Sequence, residues 1–175
     1  NVTNLRSPSP LGKAFLQAAA ECKFSLTDDF NGRCQEGFGY YKVTQKNGQR
    51  WSAANAFIDP IRLKSNLRIL TEVLCTRIIV KDRKAVGVVY LKNDREHKIF
   101  ASRGVVICAG TFKSPQLLML SGIGPAAKLK KLGIKIQLDS PGVGRNLQDH
   151  INYSFIYRTK SDDAVGISSK GIFKL

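Results

Sequence analysis

The sequence has 175 residues, 43% of them apolar, and a formal net charge of +15 from 28 Lys and Arg against 13 Asp and Glu. That length is one ordinary domain or part of a larger one, and the apolar share allows a buried core and excludes wholesale disorder. No apolar run reaches the roughly eighteen residues that a membrane-spanning helix needs, so no membrane span is expected.

The basic surplus is spread through every quarter of the chain rather than gathered in a tail. Its densest cluster, Lys128, Lys130 and Lys131, falls on a short amphipathic stretch and reads as a solvated helix face. No nucleic-acid partner is expected from this pattern. The residues from Asn1 carry no basic and then apolar region, so no signal peptide is visible. Cys22, Cys34, Cys75 and Cys108 include no C-x-x-C pair, and neither His97 nor His150 stands near a second ligand, so no metal site is expected. Cys22 and Cys108 are expected inside as small hydrophobes, and Cys34 in an exposed loop.

Ser7-Pro8-Ser9-Pro10 is a turn-rich entry to a helix over 11–22, where Leu11, Phe15, Ala18 and Cys22 recur at helical spacing. Asp28 to Gly32 and Gly37 to Gly39 read as irregular backbone. Tyr40 to Thr44, the turn Lys46-Asn47-Gly48, and Arg50-Trp51-Ser52 read as strand, turn and strand. Ser52 is placed to cap a helix from Ala53 to about Phe57, with Pro60 near its end.

From Asn66 the pattern turns to strands. Leu67 to Leu70 is a short one. Cys75–Val80 and Ala85–Tyr90 flank Lys81-Asp-Arg-Lys84 as an antiparallel hairpin, with Lys98–Ala101 as a third strand. Gly104-Val-Val-Ile-Cys108 is apolar throughout, the mark of a strand buried on both faces of a parallel sheet. It leads through Ala109-Gly110 to a helix over 114–120, with Ser114 as N-cap and Pro115 first inside. Gly122-Ile-Gly124 closes that helix, a second runs from Ala126 to Leu132, and Ile134–Leu138 and Tyr153–Tyr157 are the last strands.

The strand meeting Ala109-Gly110 carries most of the chemical information. A glycine at the carboxyl end of a parallel strand lets a ligand approach the backbone, and open α/β sheets bind cofactors in such crevices. The bland alternative is an ordinary strand–helix connection that needs a small residue. No G-x-G-x-x-G follows a strand, and there is no Walker loop, G-x-S-x-G elbow or paired-histidine metal motif. Adjacent Asp149 and His150 are poorly placed for one side chain to orient the other.

Gly110-Thr-Phe-Lys-Ser114-Pro115-Gln-Leu117-Leu118-Met-Leu-Ser121-Gly122-Ile123-Gly124 resembles the second signature of the glucose–methanol–choline (GMC) flavoprotein oxidoreductases, with every restricted position filled. The flanks Val105 to Gly110 and Pro141-Gly-Val-Gly144-Arg-Asn146-Leu-Gln-Asp149-His150 agree, as do Gly48-Gln-Arg50-Trp-Ser52, Asn66-Leu67 and Ala85-Val-Gly87-Val. The likeness covers residues 7 to 157. Asp28 to Gly32 and Gln45 to Gly48 are similar in tone to insect members, for which a secreted protein would fit.

The resemblance implies a mixed α/β fragment, part of a doubly wound FAD-binding domain with an antiparallel meander. Residues 1–150 would be the central part of that region and 151–175 the start of a substrate-binding region. It implies FAD as cofactor and oxidation of the CH–OH group of a small-molecule alcohol by hydride transfer to flavin. Cys75 falls where the family usually has a valine whose main chain pairs with adenine. Ala109 and Gly110 would line the adenosine–diphosphate half, and Asn146 to His150 the flavin end. The glycine fingerprint that precedes this region in the family and the catalytic histidine pair that follows it have no counterpart here. No catalytic residue is therefore assigned, and the chain is expected to be an inactive section whose N- and C-terminal parts lie elsewhere. Two rival expectations are a noncatalytic polyanion-binding module and a nonoxidative, lyase-type relative on the same scaffold.

Overall fold

In the computed structural model, which describes residues 1–157, the Val- and Ile-rich run from Leu74 becomes the centre of the second of two units. The first unit contains Asn1–Leu67 and the second Arg68–Tyr153.

In the first unit, helix α1 (Pro10–Glu21) starts with proline at its first position, where the missing N–H has no intrahelical partner to lose. It ends with Lys23 in the left-handed region (φ 63°). There the Phe24 and Lys23 N–H groups donate to the Ala19 and Ala20 carbonyls and satisfy the helix end. Phe38 packs between Phe15 and Phe24, with ring centroids 5.7 and 5.2 Å away. The strand expected over Tyr40–Thr44 is reduced to a bridge between Thr3 and Val43, followed by a two-residue hairpin of β1 (Gln45–Lys46) and β2 (Gln49–Arg50). Ser52 does cap the next helical stretch, since its Oγ accepts the Asn55 N–H while Asn55 Oδ1 accepts the Ser52 N–H. That stretch is a wide π-type turn (Ala54–Ile58) running into a 3₁₀ turn (Asp59–Ile61).

In the second unit, β3 (Leu74–Lys81), β4 (Lys84–Lys92) and β5 (Arg95–Phe100) form an antiparallel sheet in chain order, as the alternation predicts. Both hairpins turn on two residues with positive φ, Asp82-Arg83 and Asn93-Asp94, which matches the right-handed twist of the strands. Gly87 is required where β4 meets β5, because a Cβ there would stand 2.3 Å from the Ile99 carbonyl oxygen. The register of β3 on β4 skips at Thr76, a bulge, and Thr76 Oγ1 donates to the Val89 carbonyl at 3.3 Å.

Helix α2 (Gly110–Leu120) packs on β3 through one buried hydroxyl. Ser121 Oγ donates to the Leu117 carbonyl at 2.6 Å and accepts the Ile78 N–H at 2.8 Å. Beyond it Gly122 (φ 84°) turns the chain into β6 (Ile123–Gly124), which pairs in parallel with β7 (Leu138–Asp139). Between them α3 (Ala126–Lys131) buries Leu129 completely and ends at Gly133 (φ 68°), where the Ile134 N–H donates to the Leu129 carbonyl.

Four expectations are corrected. Residues 104–108 form no strand: Val106 is 87% exposed, and no backbone hydrogen bond joins this segment to another described residue. A ladder needs a neighbour, and no described strand lies alongside. Leu67–Leu70 and Tyr153–Tyr157 are not assigned as strands either, and of the Ile134–Leu138 strand only Leu138 joins a ladder. Ser114 is not an N-cap and Pro115 lies inside α2, because the helix begins a turn earlier at Gly110 and Ser114 Oγ accepts the Ala109 N–H at 3.2 Å. All four cysteines are free and exposed, Cys22 and Cys108 included, so the expected burial of those two is not found.

Candidate functional site

The approach to the site is set by the start of α2. Gly110 has φ 81°, a conformation open to glycine, and nothing lies within 4 Å of where its Cβ would stand. A ligand can therefore reach the main chain at this point. No acidic residue lies in the first turn and no N-cap side chain bonds its N–H groups; Ser114 Oγ holds the Ala109 N–H just before it.

Helical spacing then divides α2 between two concavities. Lys113, Gln116, Leu117 and Leu120 project on one face, at the i, i+3, i+4, i+7 positions. With Leu74, Cys75 and Thr76 of β3 and with Ala109 they line an open cavity of about 490 Å³. Thr111, Phe112, Pro115 and Met119 lie on another face. With residues 144–148, Asn146 among them, they line a second concavity of about 560 Å³.

The first cavity brings together Cys75 and Ala109, residues far apart in sequence, with Gly110 next to them at the helix entry. Its walls are apolar at Leu74, Leu117 and Leu120 and polar at Thr76, Lys113 and Gln116. That mixture suits a flat heteroaromatic ring carrying polar substituents. Burial pushes the Cys75 thiol above the ordinary cysteine range, and a hydrogen bond from the Arg77 backbone pulls it part of the way back. The bulge at Thr76 sits on the same wall, where a skipped register re-aims side chains.

Asn146, in the left-handed region at φ 55°, belongs to the second concavity. His150 lines neither; it is exposed, and its backbone N–H is held by Asp149 Oδ1 at 2.8 Å. His97 is also exposed and stacks on Tyr90, with ring centroids 5.2 Å apart. Among the described residues no three His, Cys, Asp or Glu side chains gather as a metal site requires, and no helix is long and apolar enough to cross a membrane.

Sequence reasoning missed Thr76, Lys113 and Gln116. The signal for the last two is the 113, 116, 117, 120 spacing, legible once α2 is known to start at Gly110 rather than Ser114. Nothing local announces the bulge that brings in Thr76.

A family model described as GMC oxidoreductase matches residues 1–152. Alcohol dehydrogenase (acceptor) of Pseudomonas putida is 44% identical over 169 residues, 95% of this chain and 31% of that protein. Mitochondrial choline dehydrogenase of Homo sapiens is 47% identical over 150 residues, 86% of this chain and 25% of that protein. Among solved structures, pyridoxine 4-oxidase from Mesorbium loti aligns with a TM-score of 0.79 at 32% identity, covering 85% of this chain and 30% of that one. A formate oxidase aligns with a TM-score of 0.77 at 32% identity, covering 85% and 26%. The chain thus spans under a third of the length of these relatives.

Proposed function

The chain belongs to the GMC oxidoreductase family, with FAD as its cofactor, and from that premise we propose that it is the central section of an enzyme oxidising the CH–OH group of a small alcohol. FAD, when bound, supplies the acceptor for the hydride. Residues 1–150 contribute to the FAD-binding region, and the chain from 151 begins the substrate-binding region.

The observation that carries this reading is the cavity joining Cys75 to Ala109 beside an uncapped helix start. It fits the adenosine end of the cofactor: an apolar slot for a ring, and an open glycine main chain where a phosphate-bearing ligand can come close. Cys75 would offer its main chain to the adenine, an interaction indifferent to the replacement of the family's usual valine. Asn146 and His150 would face the flavin end, with Asn146 presented by its own concavity.

Hydride transfer also needs a base for the hydroxyl proton. His97 is occupied in an exposed stack on the meander, and His150 is a loop residue with no orienting side chain described beside it. The base therefore belongs to the remainder of the parent protein. The unpaired 104–108 segment supports the same conclusion, since an apolar strand without neighbours is what removing its sheet partners leaves.

The test compares the full-length parent with these 175 residues alone. The parent is expected to purify with flavin absorbance that bleaches on anaerobic addition of an alcohol substrate. The section alone is expected to show neither flavin absorbance nor alcohol oxidation. A parent unable to hold FAD, or a yellow and active preparation of the section, would overturn the proposal.

A further inference from the structure

The loop that presents Asn146 is tied down at its beginning and loose at its end. The Ser140 N–H donates to the Gly124 carbonyl at 2.9 Å. Two tight turns follow, closed by the Val143 N–H on the Ser140 carbonyl and the Arg145 N–H on the Gly142 carbonyl, both at 3.2 Å. Gly144 (φ 75°) and Asn146 (φ 55°) lie in the left-handed region, which a non-glycine residue such as Asn146 keeps only when its surroundings fix it. Beyond Arg145, no hydrogen bond holds residues 146–148 among the described residues.

The remaining hold comes from α2. Met119, the one methionine of the sequence, reaches from the last turn of that helix past Gly124 to Gly144. A Cβ on Gly124 would stand 2.8 Å from Met119 Cγ, and a Cβ on Gly144 would stand 3.3 Å from Met119 Cε. The thioether thus fills the space that both glycines leave open. Pro115, one helical turn earlier, comes within 3.9 Å of the same point at Gly144. An unbranched side chain with three rotatable bonds can follow such an irregular path. Met119 also lines the concavity to which Asn146 belongs.

We infer that Met119 is a positioning residue for the flavin end of the cofactor site, acting through Gly144 on Asn146. This rests on the proposed FAD site, in which Asn146 faces the flavin, and it assigns the side chain that fixes where Asn146 stands.

The test uses apoprotein of the full-length parent, titrated by calorimetry with FAD and with ADP, which carries the adenosine–diphosphate half alone. Met119→Ala is expected to weaken FAD about tenfold and ADP by less than about twofold. Met119→Leu, close in volume, is expected to restore most of the loss. Met119→Val, a milder truncation, is expected to show the same pattern at smaller size and keeps the comparison possible should alanine unfold the parent. A double-mutant cycle identifies the route: with Asn146→Ala in place, Met119→Ala is expected to weaken FAD by less than about twofold further.

Equal losses for FAD and ADP would reduce Met119 to general packing and overturn the inference. Unchanged FAD affinity in Met119→Ala, or full additivity with Asn146→Ala, would overturn it too. An Asn146→Ala parent that binds FAD as tightly as the unmutated one would remove Asn146 from the flavin end, and the inference with it. If the unmutated parent binds no FAD at all, the functional proposal itself fails, an outcome distinct from the others.

Discussion

Two stretches of the second unit, the β3–β4 hairpin within the meander and residues 104–108, both carry Val- and Ile-rich β-type sequence but meet opposite fates. In the meander each strand finds its partner next in the chain, across a two-residue turn, and Val89 ends 1% exposed. Residues 104–108 are as rich in Val and Ile, yet Val106 stays 87% exposed. Apolar patterning states how much surface a segment needs to bury. Whether it becomes a strand depends on a neighbour, and only the meander carries its neighbours with it.

The largest effect should separate these two stretches by mutation. In the parent protein, Val89→Ala and Val106→Ala are each expected to cost about 2–3 kcal/mol by urea denaturation, because both side chains would be buried there. In the 175-residue section Val89→Ala should keep that cost, while Val106→Ala should fall within about 0.5 kcal/mol of zero. Similar large losses for both in the section would mean that residues 104–108 are already packed.

The joint between helix and sheet comes next. Ser121→Ala removes the hydroxyl shared by the Ile78 N–H and the Leu117 carbonyl and leaves a buried donor unsatisfied. A loss of about 1–2 kcal/mol is expected, with faster amide exchange at Ile78. A neutral substitution would show that the packing of α2 on β3 does not depend on this bond.

A smaller effect concerns thiol chemistry. The Cys75 thiol is raised by burial, so at a fixed pH near 8 less of it is thiolate than at an ordinary cysteine. Iodoacetamide should label Cys75 more slowly than a cysteine in a short unstructured peptide, with a rate still climbing at pH values where the peptide has levelled off. The sign for stability follows. The raised value favours folding below the ordinary thiol range, and that contribution is lost as pH rises through the folded value. Equal labelling rates and equal midpoints would contradict the burial argument. The smallest effect is Arg77→Ala, which breaks an exposed pair with Glu96 at 2.9 Å and should cost at most about 0.5 kcal/mol.

How much was legible in the sequence follows the same division. The first hairpin of the meander could be read because its signals are local, an apolar run on each side of Lys81-Asp-Arg-Lys84; the second turn at Asn93-Asp94 was not read, and the third strand starts at Arg95 rather than Lys98. Helix α1 could be read from its Ser-Pro entry and apolar spacing. The start of α2 could not, because the preference for proline at a first helical position competed with Gly110, whose left-handed φ opens the helix a turn earlier. Cys75, Ala109 and Gly110 were named through a family resemblance, and the fold does bring Cys75 and Ala109 to one cavity. Thr76 escaped notice because a bulge depends on pairing between strands, and Lys113 because helical phase matters only once the helix start is known. The expected burial of Cys22 and Cys108 failed, since helical spacing and an apolar run state a need for burial and not whether a neighbour meets it; both are exposed.

The central claim is that residues 104–108 complete a cofactor-holding sheet only when the rest of the protein is present. Amide hydrogen exchange at Val105 to Cys108 tests it most directly, measured in the FAD-loaded parent and in the 175-residue section. Exchange at least a hundredfold slower in the parent, and near the unprotected rate in the section, is the predicted result. Fast exchange in both, or protection already present in the section, would contradict it.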